Sequence, residues 1–182
     1  MRFSLLFCTY ILSFLFILFL SILYFSFDRF NNFENKIYKK LLIVNLFGVV
    51  VNIICEISFM FEIKSLMIWI TKILLVYFIF WLALFFRYVL EISIKKNNVI
   101  IIINQLVAII SSIIIFFLSY DAFFEPTNGI YYTFGADTKF TYFISILYCL
   151  FLIILVIFRH KSITQKKAAP IYVLLICISN LC

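Results

Sequence analysis

The stretch that decides the fold is ENKIYKKLLIVNLFGVVVNIICE, Glu34 to Glu56. It opens basic, with Lys36, Lys39 and Lys40 directly before an apolar run. That run is long enough to cross a bilayer, yet it carries Asn45, Gly48, Asn52 and Glu56. Their spacing of three, four and four residues puts them on one stripe of a helix with 3.6 residues per turn. Amides and a carboxylate inside a span are costly against lipid, so the stripe is expected to face protein. The lysines at its start mark the cytoplasmic end of the segment.

Composition agrees with a membrane setting. The chain of 182 residues is 66% hydrophobic and 13% charged, with three glycines and two prolines. A soluble domain of this size could not bury so much apolar surface, so the expected class is a polytopic transmembrane helical bundle, all-α, with no soluble domain. The 25 phenylalanines and 11 tyrosines accompany many Ile, Lys and Asn, a set encoded by A+T-rich codons. The net charge of +7 does not make a nucleic-acid surface, because the basic residues form short clusters between apolar runs. Cys8, Cys55, Cys149, Cys177 and Cys182 all lie in apolar runs without a C-x-x-C pair. They read as small hydrophobes, neither a disulfide framework nor a metal site.

Working outward from the central stretch, five complete spans are expected, at 3–27, 41–61, 66–90, 99–118 and 140–158, and an incomplete sixth at 168–182. The first run, Phe3 to Phe27, competes with a signal peptide. It ends in Tyr24-Phe25-Ser26-Phe27, where a cleavage site needs small residues, and bulky Phe7 precedes Cys8, where a lipoprotein site needs a small one. It is read as a retained span. Glu62 to Ser65 is so short that spans two and three form an antiparallel hairpin. The longest loop, Ser119 to Lys139, holds Pro126 and the Asn128-Gly129 turn signal. The last stretch, Ala168 to Cys182, is roughly 22 Å of helix against about 30 Å of hydrocarbon. The expectation drawn from it is a sixth span begun and not completed, as in the front part of a longer protein.

Loop charge gives the orientation. Eleven of the fifteen basic residues follow spans one, three and five with their flanks: Arg29, Lys36, Lys39, Lys40, Arg87, Lys95, Lys96, Arg159, Lys161, Lys166 and Lys167. Only Arg2, Lys64, Lys72 and Lys139 fall on the other side. The amino terminus is therefore expected outside, and the acidic 119–139 loop external.

The polar residues within spans are the candidate site: Asn45, Asn52, Glu56, Lys72, Asn104 and Gln105. Glu56 and Lys72 lie at matching depth on the two arms of the hairpin. They fit a structural ion pair first; a ligand or proton site at Glu56, and snorkelling to the interface, are the alternatives. The amides fit interhelical hydrogen bonds better than ligand contacts. Asp121, Glu125 and Asp137 in the outer loop are candidates for a cation or a basic peptide, but too scattered for a calcium loop, so a solvated loop is the default. His160, in Phe158-Arg159-His160-Lys161-Ser162, lacks the context of a phospho-accepting histidine. There is no glycine-rich phosphate loop, no Ser-His-Asp set and no His-Glu-x-x-His, so the residues assign no catalytic activity, no metal and no cofactor.

The string Glu34 to Gly48, ENKIYKKLLIVNLFG, resembles the first cytoplasmic loop and second span of a bacterial multi-pass sensor region. Such regions precede a histidine kinase core and sometimes a diguanylate cyclase. Tyr132-Thr133-Phe134-Gly135-Ala136 is similar to the Tyr-Ser-Tyr-Gly-Pro entry to a later span there, and the basic 159–171 stretch, with Lys-Lys before Pro-Ile, also fits. The similarity covers most of 30–177. It implies a signal-sensing input region of a two-component sensor kinase in the cytoplasmic membrane of a bacterium, truncated before the kinase core. Its partners would be the lipid bilayer and, in a dimeric kinase, a second copy, with no nucleic acid. A small transport or membrane-partner subunit, its pathway lined by the Glu56 stripe, is the reading from a different class.

Overall fold

The structure is a computed structural model that describes residues 5–26, 33–61, 63–93, 98–125 and 130–159. Five helices occur in it: α1 (Leu5–Ser26), α2 (Phe33–Met60), α3 (Lys64–Ser93), α4 (Asn98–Phe117) and α5 (Ala136–Arg159). Four contain stretches long and apolar enough to cross a membrane: Lys36–Phe59, Lys64–Glu91, Asn98–Phe117 and Ala136–Leu155. In α1 the corresponding stretch, Ile11–Ser26, is shorter. The helical membrane bundle thus stands on four long apolar helices, and the stretch expected as a sixth span lies outside the described residues.

Two boundaries differ from the sequence reading, for a shared reason. α2 begins at Phe33, so the basic residues read as a loop are the first turns of the helix. α5 begins at Ala136, so Asp137 and Lys139 belong to a helix and not to a loop. Polar residues in a first turn lower hydropathy without breaking the helix, and an acid there is favoured by the exposed N–H groups. The outer loop is also not wholly irregular. Strand β1 (Ala122–Glu125) pairs antiparallel with β2 (Ile130–Thr133), Ala122 opposite Thr133 and Glu125 opposite Ile130. Phe, Tyr, Ile and Thr suit such strands.

α3 is the central helix, packed against α2, α4 and α5, while α1 packs on α2. On α2 a buried row runs through Ile37, Leu41, Gly48, Val51, Cys55 and Ser58, with half-buried Val44 in it and buried Leu42 beside it. The steps of four and three along this row form the seam of the hairpin against α3. On α4 a single seam is buried, Ile101, Asn104, Ala108, Ser111, Ser112 and Ile115. Ala and Ser there let the backbones approach closely. Most of the remaining surface of α4 is exposed and apolar, including Ile102, Ile103, Leu106, Ile109 and Ile113, as a lipid-facing side requires. Ile79, Leu82, Phe85 and Val89 of α3, Ala108 and Ile115 of α4, and Tyr148 and Leu152 of α5 make the core between the three helices.

Candidate functional site

The α2 stripe is built around Gly48. A Cβ at that position would run into the ring of Tyr77 on α3, so the glycine is what allows the hairpin to close. The Tyr77 hydroxyl donates to Asn45 Oδ1 at 3.3 Å, one turn earlier. Further along, the stripe and the seam part by one residue. Val51 and Cys55 are buried, whereas Asn52 and Glu56 are half-buried beside them. The stripe therefore lies in the helix contact at Gly48 and flanks it at Asn45, Asn52 and Glu56, all three half-buried, with Asn45 reaching Tyr77 from that flank.

Asn104 and Gln105 separate into a buried and an exposed position on α4. Asn104 is buried, its Nδ2 donating to the Ala83 carbonyl at 2.9 Å. Its own backbone carbonyl accepts from the Tyr148 hydroxyl at 3.4 Å, so this residue ties α4 to both α3 and α5. Gln105 is exposed among the lipid-facing residues. Sequence alone gave both the same role as interhelical glue; one residue, about 100° of rotation, divides them.

The densest polar cluster lies where α4 ends. Lys72 of α3 is buried, and its ammonium donates to the carbonyls of Phe116 and Leu118, both at 2.9 Å. A helix end leaves its last carbonyls without intrahelical donors and carries partial negative charge, so a lysine is well matched to it. These hydrogen bonds run across to α4, a partner that the hairpin geometry of spans two and three could not suggest.

Immediately after that cap, Ser119 receives the N–H of Asp137 at 3.3 Å, and Asp121 receives the N–H of Phe134 at 2.8 Å. The two ends of the outer loop are thereby stitched together. A Cβ at Gly135 would meet the Asp137 carboxylate, the Ser119 carbonyl and the Asp121 N–H, so only glycine fits this closure.

Asp137 is fully buried, which corrects its reading as a solvated loop residue. Its Oδ1 accepts from the Thr138 N–H at 2.7 Å and from the Thr138 hydroxyl at 3.3 Å. The Thr141 hydroxyl in turn donates to the Asp137 backbone carbonyl at 2.9 Å. The carboxylate is held by the first turn of its own helix. Its Oδ2 has no hydrogen-bond partner among the described residues, and neither does the Tyr120 hydroxyl. Asp121 is exposed, as expected of a loop acid. Glu125 ends β1 opposite Ile130.

Two residues that sequence reasoning did not single out complete this end. Thr71, buried on α3, lies 3.8 Å from the Cys55 sulfur of α2, oxygen to sulfur. Burial pushes the Tyr120 phenol above its usual range; the nearby Thr71 hydroxyl opposes the shift without closing a hydrogen bond of good geometry, and Cys55 and Asp137 reinforce it. Neither a lone threonine in an apolar span nor a loop tyrosine carries a sequence signal for such a role.

Among the described residues no group of His, Cys, Asp and Glu is placed to hold a metal ion. His160 and the Asn128-Gly129 turn fall outside the described residues. A charged side chain of the central helix grips the end of its neighbour, at the root of the β1–β2 loop. No protein-family model, curated protein or solved structure matches the chain.

Proposed function

We propose that this chain is the membrane input region of a signalling protein of the sensor-kinase kind, receiving its stimulus at the 119–135 loop and relaying it along α3. The observation that carries the reading is the Lys72 clamp. Any stimulus that moves Leu118 must either break a charged hydrogen bond or drag α3 with it. α3 has 30 residues, about 45 Å, enough to reach from that loop past the opposite membrane boundary. Polar contacts at one end and a packed lever to the other are what a relay between two bistable arrangements requires. In this reading the loop is external and the lysine-rich ends are cytoplasmic, following the charge distribution.

The test is hydrogen–deuterium exchange in lipid nanodiscs. Lys72→Met should increase exchange at 116–121 and also at the far end of α3, 85–93. Changes confined to 116–121 would remove α3 as the relay. A transport or membrane-partner subunit is the competing reading, favoured by the half-buried Glu56 beside the α2–α3 contact. It requires Glu56→Gln to abolish solute or ion flux in reconstituted vesicles, which the sensing reading does not.

A further inference from the structure

The basic turn of α2 is helical, and this changes what its lysines can do. On a 3.6-residue helix Lys36, Lys39 and Lys40 fall within one sector about 100° wide, and all three are exposed. Ile37 and Leu41, on the inward side of the same turns, are buried. The lysine sector continues up the helix as Ile43, Phe47, Val50 and Ile54, which are all exposed. A cationic end therefore sits directly beneath a lipid-facing apolar track. From Lys40 to Val50 the rise is about 15 Å, half of the roughly 30 Å hydrocarbon thickness, the depth of a single leaflet.

The neighbouring helix closes one side. The Lys39 ammonium lies 5.2 Å from the centre of the Phe25 ring near the end of α1. Tyr24 of α1 packs on Tyr38 of α2 at 5.0 Å, and Tyr38 on Tyr88 of α3 at 6.2 Å, an aromatic belt at the same level. Like charges at i and i+4, Lys36 and Lys40, repel unless an anion lies between them.

We infer that the outer face of α2 is a binding site for one anionic phospholipid, its phosphate held by Lys36, Lys39 and Lys40 and an acyl chain along Ile43, Phe47 and Val50. A zwitterionic lipid offers the same chain but places a cationic group against the lysines. A free phosphate offers the charge without the chain. The site is independent of the sensing reading.

Lipid binding to the purified chain in detergent, followed by native mass spectrometry, separates these. Phosphatidylglycerol should bind in preference to phosphatidylcholine. Replacing the three lysines together by Gln should weaken phosphatidylglycerol binding at least about tenfold, given the attraction of each basic residue to an anionic surface. The triple Arg variant should retain it, and Lys64→Gln with Lys139→Gln, at the other end of the helices, should leave it unchanged. Equal binding of the two lipids would overturn the site, as would full binding by the triple Gln variant. Displacement of the lipid by millimolar inorganic phosphate would show an anion site without a lipid track, and would overturn it too.

Discussion

Lys72 shows how much one side chain decides. Its ammonium is buried within an apolar helix, a costly place for a charge, and it is tolerated because two carbonyls at the end of α4 accept from it. Lys72→Met keeps the volume and removes both bonds, leaving the carbonyls of Phe116 and Leu118 to weaker donors. Hydrogen bonds to charged groups are worth about 1.5–3 kcal/mol each, less where water reaches the helix end, so a loss of roughly 1–3 kcal/mol is expected. Thermal unfolding in detergent measures it, and Lys72→Arg should recover part of the loss. A Lys72→Met protein as stable as the parent would mean that the cap contributes nothing. Asp137 makes the complementary point. Its chemistry is polar but its position is the first turn of α5, fully buried, where the N–H of Thr138 reaches it. The sequence around it suggested solvent, because the apolar run begins only at Phe140 and the polar first turn of α5 reads as loop.

At the scale of elements, the α2–α3 hairpin rests on Gly48. The Tyr77 ring occupies the place of a Cβ, and the ring is held by its bond to Asn45. Gly48→Ala should displace Tyr77 and open the hairpin locally, costing about 1–3 kcal/mol as overpacking does, despite the better helix propensity of alanine. Thermal unfolding of the variant reads this directly, and Tyr77→Phe combined with Gly48→Ala should recover little, since the clash is with the ring. The helices themselves were legible in the sequence, since apolar runs of about 20 residues admit few other structures. The facing of each helix was legible only to within one residue. Gly48 turned inward as the stripe required, but Asn45, Asn52 and Glu56 sit one step off the seam and are half-buried, and Gln105 is exposed beside buried Asn104. Periodicity fixes a sector of a helix, whereas neighbours on two or three sides fix the angle within it. The β1–β2 hairpin escaped notice because four-residue strands leave little alternation to detect, even beside a clear turn signal.

For the whole molecule, the contacts that matter join residues far apart in sequence. Lys72 meets Leu118, Asn104 meets Ala83, and Tyr148 meets Asn104. No local pattern predicts such pairs, which is why the polar residues could be named from sequence but not their partners. Together these contacts set a central α3 between a hairpin loop at one end and a lysine-rich rim at the other. A bilayer belongs between those two ends, across the exposed apolar surfaces of α2, α4 and α5. Single cysteines in a cysteine-free background, labelled with a membrane-impermeant maleimide in intact and then opened cells, test that arrangement. Ser119, exposed just beyond the end of α4, should label in intact cells, and Asn98, exposed at its start, only after opening. Labelling of both positions from the same side would contradict the account, because α4 could not then cross the membrane.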